Sequence, residues 1–106
     1  MIEVNYPDSI SLALRPTPIE PLTRYGQRFD GVDLWIKRDD LTGFELSGNK
    51  VRKLEFSMAA ALEQGAGAVV TCGGVNSNHC RATTYMARRL GLDVHLILRT
   101  PDGRPP

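Results

Sequence analysis

The stretch SGNKVRKLE, Ser47–Glu55, sets three cations, Lys50, Arg52 and Lys53, where a helical pattern begins. That end of a helix already carries about half a positive charge from its dipole and unsatisfied N–H groups. Sequence rules place Asp or Glu there, not lysine. An ammonium beside those positive ends is disfavoured relative to the free amine, and a lysine must be a free amine to attack a carbonyl and form a Schiff base. The same helix start, with a second cation, suits a phosphate. Lys50 and Lys53 are three residues apart and so project from one face. An aldehyde bearing a phosphate would use both features, and pyridoxal 5′-phosphate is such a molecule. Solvated surface lysines at an ordinary helix entry have the same spacing, so this stretch leaves both readings open.

A second group of residues lies in TCGGVNSNH, Thr71–His79, between the end of one predicted strand and the start of the next helix. Ligands bind at that position in open α/β sheets. Gly73 and Gly74 let the backbone come close to a ligand. Ser77, Asn78 and His79 then offer a hydroxyl, an amide and an imidazole at a helix N-terminus, a set that suits a carboxylate. A plain N-cap at Ser77 or Asn78 accounts for the same residues. The loop is no nucleotide fingerprint: it lacks the G-x-G-x-x-G spacing, and no Walker lysine follows the glycines.

The elements that must hold these groups follow from periodicity. Arg15–Leu22, RPTPIEPL, contains three prolines and reads as extended or turn-rich after an extended lead-in. Val32, Leu34 and Ile36 alternate as in a strand, which DDLTG closes with turn residues. From Asn49, Val51, Leu54, Met58, Ala61 and Leu62 recur at helical spacing until Gly65 and Gly67. AVVTCGG reads as a buried strand. SNHCRATTYMARRLG reads as a helix with the stripe Thr83, Met86, Ala87 and Leu90, and Gly91 at its end. DVHLIL is a second strand, with His95 a strand residue whose imidazole is satisfied. Strand, Gly-rich turn, helix and strand make a parallel βαβ unit, so the fold class is α/β.

A chain of 106 residues suffices for one small domain. Its 42% hydrophobic and 24% charged residues argue against disorder and against a coiled coil. A formal charge of +1 gives no reason to expect nucleic acid or an anionic membrane as partner. No apolar run approaches the ~20 residues of a membrane span, and the opening residues lack a signal-peptide core; the expected compartment is the cytoplasm. Cys72 and Cys80 are too few for a disulfide framework, and with His79 they fall short of the about four ligands of a metal site. Two reduced thiols and no metal are expected. The ending RTPDGRPP reads as a loop leading onward, and a parallel sheet of two strands cannot bury both faces. The chain is therefore expected to be the first part of a longer protein.

RPTPIEPL, KRDDLTG, SGNKVRKLE and GGVNSNHCR, in that order and at these separations, resemble the 1-aminocyclopropane-1-carboxylate deaminase and D-cysteine desulfhydrase family. These are pyridoxal-phosphate enzymes of the tryptophan synthase β type, and the likeness runs from about Arg15 to the end of the chain. The resemblance implies that Lys50 is the Schiff-base lysine and base, and that Lys53 contacts the cofactor phosphate. It implies that Asn78 bonds the cofactor's ring hydroxyl. Ser77 would sit at the reacting carbon near the substrate carboxylate, available for proton transfer, with His79 beside the substrate. His79 stands where desulfhydrases carry histidine and deaminases glutamine, which favours desulfhydrase-like chemistry. Asn76 and Ala82 depart from the family pattern, which has glutamine at both. Family members are roughly three times as long, a two-domain size. Residues 1–50 would belong to the large cofactor domain and 51–106 would begin the smaller one. The longer part would hold the glycine-rich phosphate turn and the partner of the pyridine nitrogen. The implied activity converts a small amino acid, D-cysteine or 1-aminocyclopropane-1-carboxylate, in a homodimer. The alternative is a catalytically silent fragment or structural module, and 106 residues alone are expected to be inactive.

Overall fold

The computed structural model describes residues 2–43 and 48–104. Ser47, the first residue of the lysine-bearing stretch, lies outside them. The prolines shape the first third of the chain. Strand β1 (Ile19–Pro21) pairs antiparallel with β2 (Trp35–Lys37), Ile19 opposite Lys37 and Pro21 opposite Trp35. The alternation at Val32, Leu34 and Ile36 yields a shorter strand than it suggests. After Pro21 one further bond, Leu22 N–H to Leu34 O at 2.8 Å, closes the ladder. The chain then turns into a short helix, α1 (Thr23–Gly26), that the pattern did not announce. Val32 is left exposed with no strand beside it.

Helix α2 (Lys50–Glu63) and helix α3 (Asn78–Arg89) carry the core. Their stripes meet: Val51, Leu54 and Met58 from α2 are buried with Ala82, Met86 and Ala87 from α3. Leu62, expected in the α2 stripe, is 40% exposed; it lies in the last turn, beyond the part of α2 covered by α3. Strand β3 (Ala68–Gly74) pairs in parallel with β4 (Asp93–Arg99), from Ala68 opposite Asp93 to Gly74 opposite Arg99. Val69 and Val94 pack against the helical core. The expected burial of β3 holds on that face only. Val70 and Ile97 point the other way and are 64% and 66% exposed, because α3 covers one side of the two-strand sheet. His95 lies opposite Val70, exposed, with no hydrogen-bond partner among the described residues, so its imidazole is not satisfied by the protein. Cys72 is exposed and Cys80 buried, and both are free thiols.

The lead-in is fastened to α2 by a buried carboxylate. Glu55 has no exposed surface, and its Oε1 accepts the backbone N–H groups of Leu12 and Ala13 at 2.6 and 2.7 Å. Its backbone oxygen accepts Ile10 N–H at 3.3 Å. Arg15 Nη2 lies 3.3 Å from Oε2, an ion-pair contact without hydrogen-bond alignment. A segment without regular structure thereby has its backbone donors satisfied on the helix that bears both lysines. Glu55→Ala would leave two N–H donors without an acceptor and is expected to cost about 3 kcal/mol of stability. Glu55→Gln, which keeps a carbonyl oxygen in place, should cost less. Urea denaturation of the three proteins measures both differences.

Candidate active site

The entry to α2 is built around Asp39. The 3-10 turn Asp39–Leu41 follows β2, and the Asp39 backbone oxygen accepts Gly48 N–H at 2.9 Å. Gly48 has φ +110°, a backbone state that L side chains rarely adopt, so glycine lets the loop swing from Asp39 into the helix. Thr42 Oγ1 donates near the same place, 2.9 Å from Asp39 O and 3.1 Å from Gly48 O. From the helix side, Arg52 grips the Asp39 carboxylate in a fork: Nε to Oδ2 at 2.8 Å and Nη2 to Oδ1 at 2.7 Å. Arg52 Nη2 also donates to Thr17 Oγ1 at 3.0 Å, and Lys37 Nζ donates to the Thr17 backbone oxygen. The hydrogen bonds from Arg52 hold the Asp39 carboxyl below its ordinary pKa.

One of the three cations is thus a structural clamp. The other two are not. Among the described residues, no ion pair or hydrogen bond engages the ammonium of Lys50 or Lys53. Lys50 is the first residue of α2, whose first turn holds no acidic residue and whose N-cap, Asn49, makes no side-chain cap.

The second helix start is more tightly made. Ser77 is the N-cap of α3, its Oγ accepting Cys80 N–H at 3.2 Å. Gly73 makes room for it: a Cβ at Gly73 would stand 2.7 Å from Ser77 Oγ and 2.8 Å from Cys80 Sγ. Asn78 is exposed at the first position of α3, with no partner among the described residues. Ser77 and Asn76 line an open cleft of ≈600 Å³ with Gly74, Val75, Arg99, Thr100 and Pro101. This is the carboxyl end of both parallel strands, where open α/β sheets place their ligands.

His79 joins the two helix starts. Its Nε2 lies 3.0 Å from Thr71 Oγ1 on β3, and its Nδ1 is buried without a partner. Burial, and then the charges of Lys53 and Lys50, lower its pKa below the ordinary 6.5. Both ammonium groups therefore lie within electrostatic reach of the first turn of α3. Of the residues singled out in the sequence, Lys53 and His79 line one cavity, while Ser77 lines the cleft at the end of β3 and β4.

A family model described as "Pyridoxal-phosphate dependent enzyme" matches residues 10–106. The chain belongs to that family. A bifunctional D-cysteine desulfhydrase/1-aminocyclopropane-1-carboxylate deaminase, mitochondrial, of Arabidopsis thaliana is 59% identical over 92 residues, 87% of this chain and 23% of that protein. A D-cysteine desulfhydrase of Salmonella paratyphi A is 46% identical over 88 residues, 83% of this chain and 26% of that protein. The crystal structure of an ACC deaminase homologue matches with a TM-score of 0.82 at 45% identity, over 89% of this chain and 29% of that one. The chain spans about a quarter of the length of the curated relatives it matches. The α/β fold with its hairpin and parallel unit is that of this family.

The residues present fit the family's cofactor. A lysine unpaired among the described residues at an uncapped, acid-free helix start, with a second such lysine one turn on, would offer an amine and a phosphate contact. Three participants escaped the reading of the sequence. Asp39 and Thr17 were turn and loop residues there, although a carboxylate shortly before a helix bearing Arg52 is a pairing signal. Thr71 gave no signal, because its role depends on the parallel strand that lies under α3. Of the two departures from the family pattern, Ala82 is buried in the core and Asn76 faces the cleft.

The low pKa of His79 carries a sign. Well above 6.5 the imidazole is neutral in folded and unfolded chains alike. Between 6.5 and its depressed folded value, the unfolded chain binds a proton that the folded chain refuses, so stability falls as pH drops through that window. The urea midpoint should decline as the pH is lowered through about 6.5, and His79→Gln should flatten the decline. An equal decline in the variant would contradict the assignment.

Proposed function

We propose that this chain supplies the lysine-bearing half of a pyridoxal-phosphate lyase or deaminase site. The substrate is a small amino acid: D-cysteine, converted with water to pyruvate, sulfide and ammonia, or 1-aminocyclopropane-1-carboxylate. The observation that carries the reading is the pair Lys50 and Lys53, unpaired among the described residues although Arg52 between them is clamped. Lys50 would hold the cofactor through its aldehyde, Lys53 would meet its phosphate and Asn78 its ring hydroxyl. Bound there, the cofactor supplies an electron sink for charge that develops on the substrate's Cα.

The chain's own residues do the rest. Ser77 Oγ uses a lone pair to accept Cys80 N–H, so its own proton remains free to donate toward a substrate carboxylate in the cleft. With D-cysteine as substrate, the amine of Lys50 would take the Cα proton as general base; 1-aminocyclopropane-1-carboxylate carries no hydrogen on Cα and would react by ring opening instead. Arg52 stays on Asp39 and keeps the helix start, and with it Lys50, fastened to the turn that follows β2. Gly73 keeps Ser77 seated at the mouth of the cleft. His79, a histidine rather than a glutamine, favours the desulfhydrase activity.

Several features extend this proposal to the whole protein: residues 1–50 in the cofactor domain, 51–106 opening the smaller domain, a cytoplasmic homodimer. No helix among the described residues is long and apolar enough to cross a membrane. Residues 1–106 alone, spanning about a quarter of the relatives' length, are proposed to bind and orient without turning over.

The test is keto-acid release from D-cysteine and from 1-aminocyclopropane-1-carboxylate by the whole protein. Lys50→Ala should lower turnover by at least about 10³-fold and Ser77→Ala by about 10²-fold, the range of a lost proton-transfer group. Ordinary turnover by Lys50→Ala would overturn the assignment of the lysine. Inactivity of the wild type toward both compounds would overturn the substrate class.

A further inference from the structure

A cavity of ≈250 Å³ lies among α2, β3 and α3, with Lys53, Ser57, Thr71, His79 and Thr83 as its polar lining. Two buried polar atoms of these residues have no partner among the described residues. Thr83 is 3% exposed, and its Oγ1 makes no hydrogen bond; His79 Nδ1 is buried and makes none either. His79 and Thr83 are four residues apart on α3, so both face the same side. Leaving buried polar atoms unpaired is costly, and proteins fill such places with ordered water where the space and partners exist.

The charges around His79 decide how its ring is protonated. From α2 it is faced by Lys53 and Lys50, from β3 by the uncharged Thr71, and from its own helix by Thr83; no carboxylate lines the cavity. A neutral imidazole has one N–H and one lone pair. Thr71 Oγ1 can take either role toward Nε2. A lone pair directed at the ammonium groups is favoured over an N–H dipole directed at them.

We propose that Thr71 and His79 are a positioning pair for Lys53: His79 Nε2–H donates to Thr71 Oγ1, and the lone pair left on Nδ1 meets a water that bridges Thr83 Oγ1 and the Lys53 ammonium. The ammonium is then held on the side of α2 that faces α3 while its remaining protons stay available. This role rests on the reading of Lys53 as the phosphate contact. In this role His79 acts through Lys53.

The experiment is ¹⁵N NMR of the His79 ring in the full chain near pH 7.5. The wild type should show a single neutral tautomer with the proton on Nε2. Thr71→Val, which removes the acceptor at equal size, should give a mixture of both tautomers, and Thr71→Ser should restore the single one. A wild-type proton on Nδ1 overturns the pair without recourse to any variant, and so does an unchanged ring spectrum in Thr71→Val. With the whole protein, Thr71→Val should weaken pyridoxal 5′-phosphate about fivefold and leave pyridoxal, which lacks the phosphate, unaffected. Equal weakening of both compounds overturns the link to Lys53. A protein that binds neither overturns the function proposed above, whereas the ring spectrum decides the pair by itself.

Discussion

Arg52 closes its guanidinium fork on Asp39, and that carboxylate also belongs to the turn whose backbone receives Gly48. Lead-in, hairpin and helix meet there: Thr17 follows Pro16, Lys37 ends β2, and Arg52 lies in the first turn of α2. A bidentate pair of this kind fixes direction as well as distance. Without it the helix start would be held to the turn by the Gly48 and Thr42 hydrogen bonds and would fray more readily, as helix ends do. The clamp also consumes the middle one of three clustered cations. The two on either side remain unpaired among the described residues, and the clustering that looks unfavourable in the sequence becomes a division of labour.

The second constraint is the packing of α2 on α3. Val51, Leu54 and Met58 against Ala82, Met86 and Ala87 fix the relative placement of the two helix starts. A helix start binds anions weakly by itself; in the proposed function the two starts, with lysines on one and Ser77, Asn78 and His79 on the other, act together. Burial first, and then the charges of Lys53 and Lys50 on the other helix, lower the pKa of His79. Glu55 contributes from behind by tying residues 10–13 to the back of α2 with its carboxylate and its backbone oxygen.

Much of this was legible in the sequence, where local chemistry determines local structure. Prolines gave the extended lead-in, 3.6-residue stripes gave both helices, and the Gly73–Gly74 pair marked the strand-to-helix turn. The family motifs led to the α/β fold and the cofactor that the comparisons bear out. What was not legible depends on partners distant in sequence. The exposure of Val70 and Ile97 follows from α3 covering one face only, which an apolar run does not reveal. Glu55 reads as a helix-surface charge until the lead-in is seen to lay two N–H groups on it. Thr71 reads as one more β-branched strand residue until α3 brings a histidine above it.

The chain has three lysines, which makes the central claim directly measurable. Lys37 gives its ammonium to the Thr17 carbonyl, and Lys50 and Lys53 are unpaired among the described residues, with Lys50 alone at the helix start. The decisive measurement is reduction with borohydride in the presence of pyridoxal 5′-phosphate, followed by peptide mass mapping of the adduct in the whole protein. The account predicts modification of Lys50, with Lys37 and Lys53 left unmodified. An adduct on Lys53, or one spread over all three lysines, would contradict it.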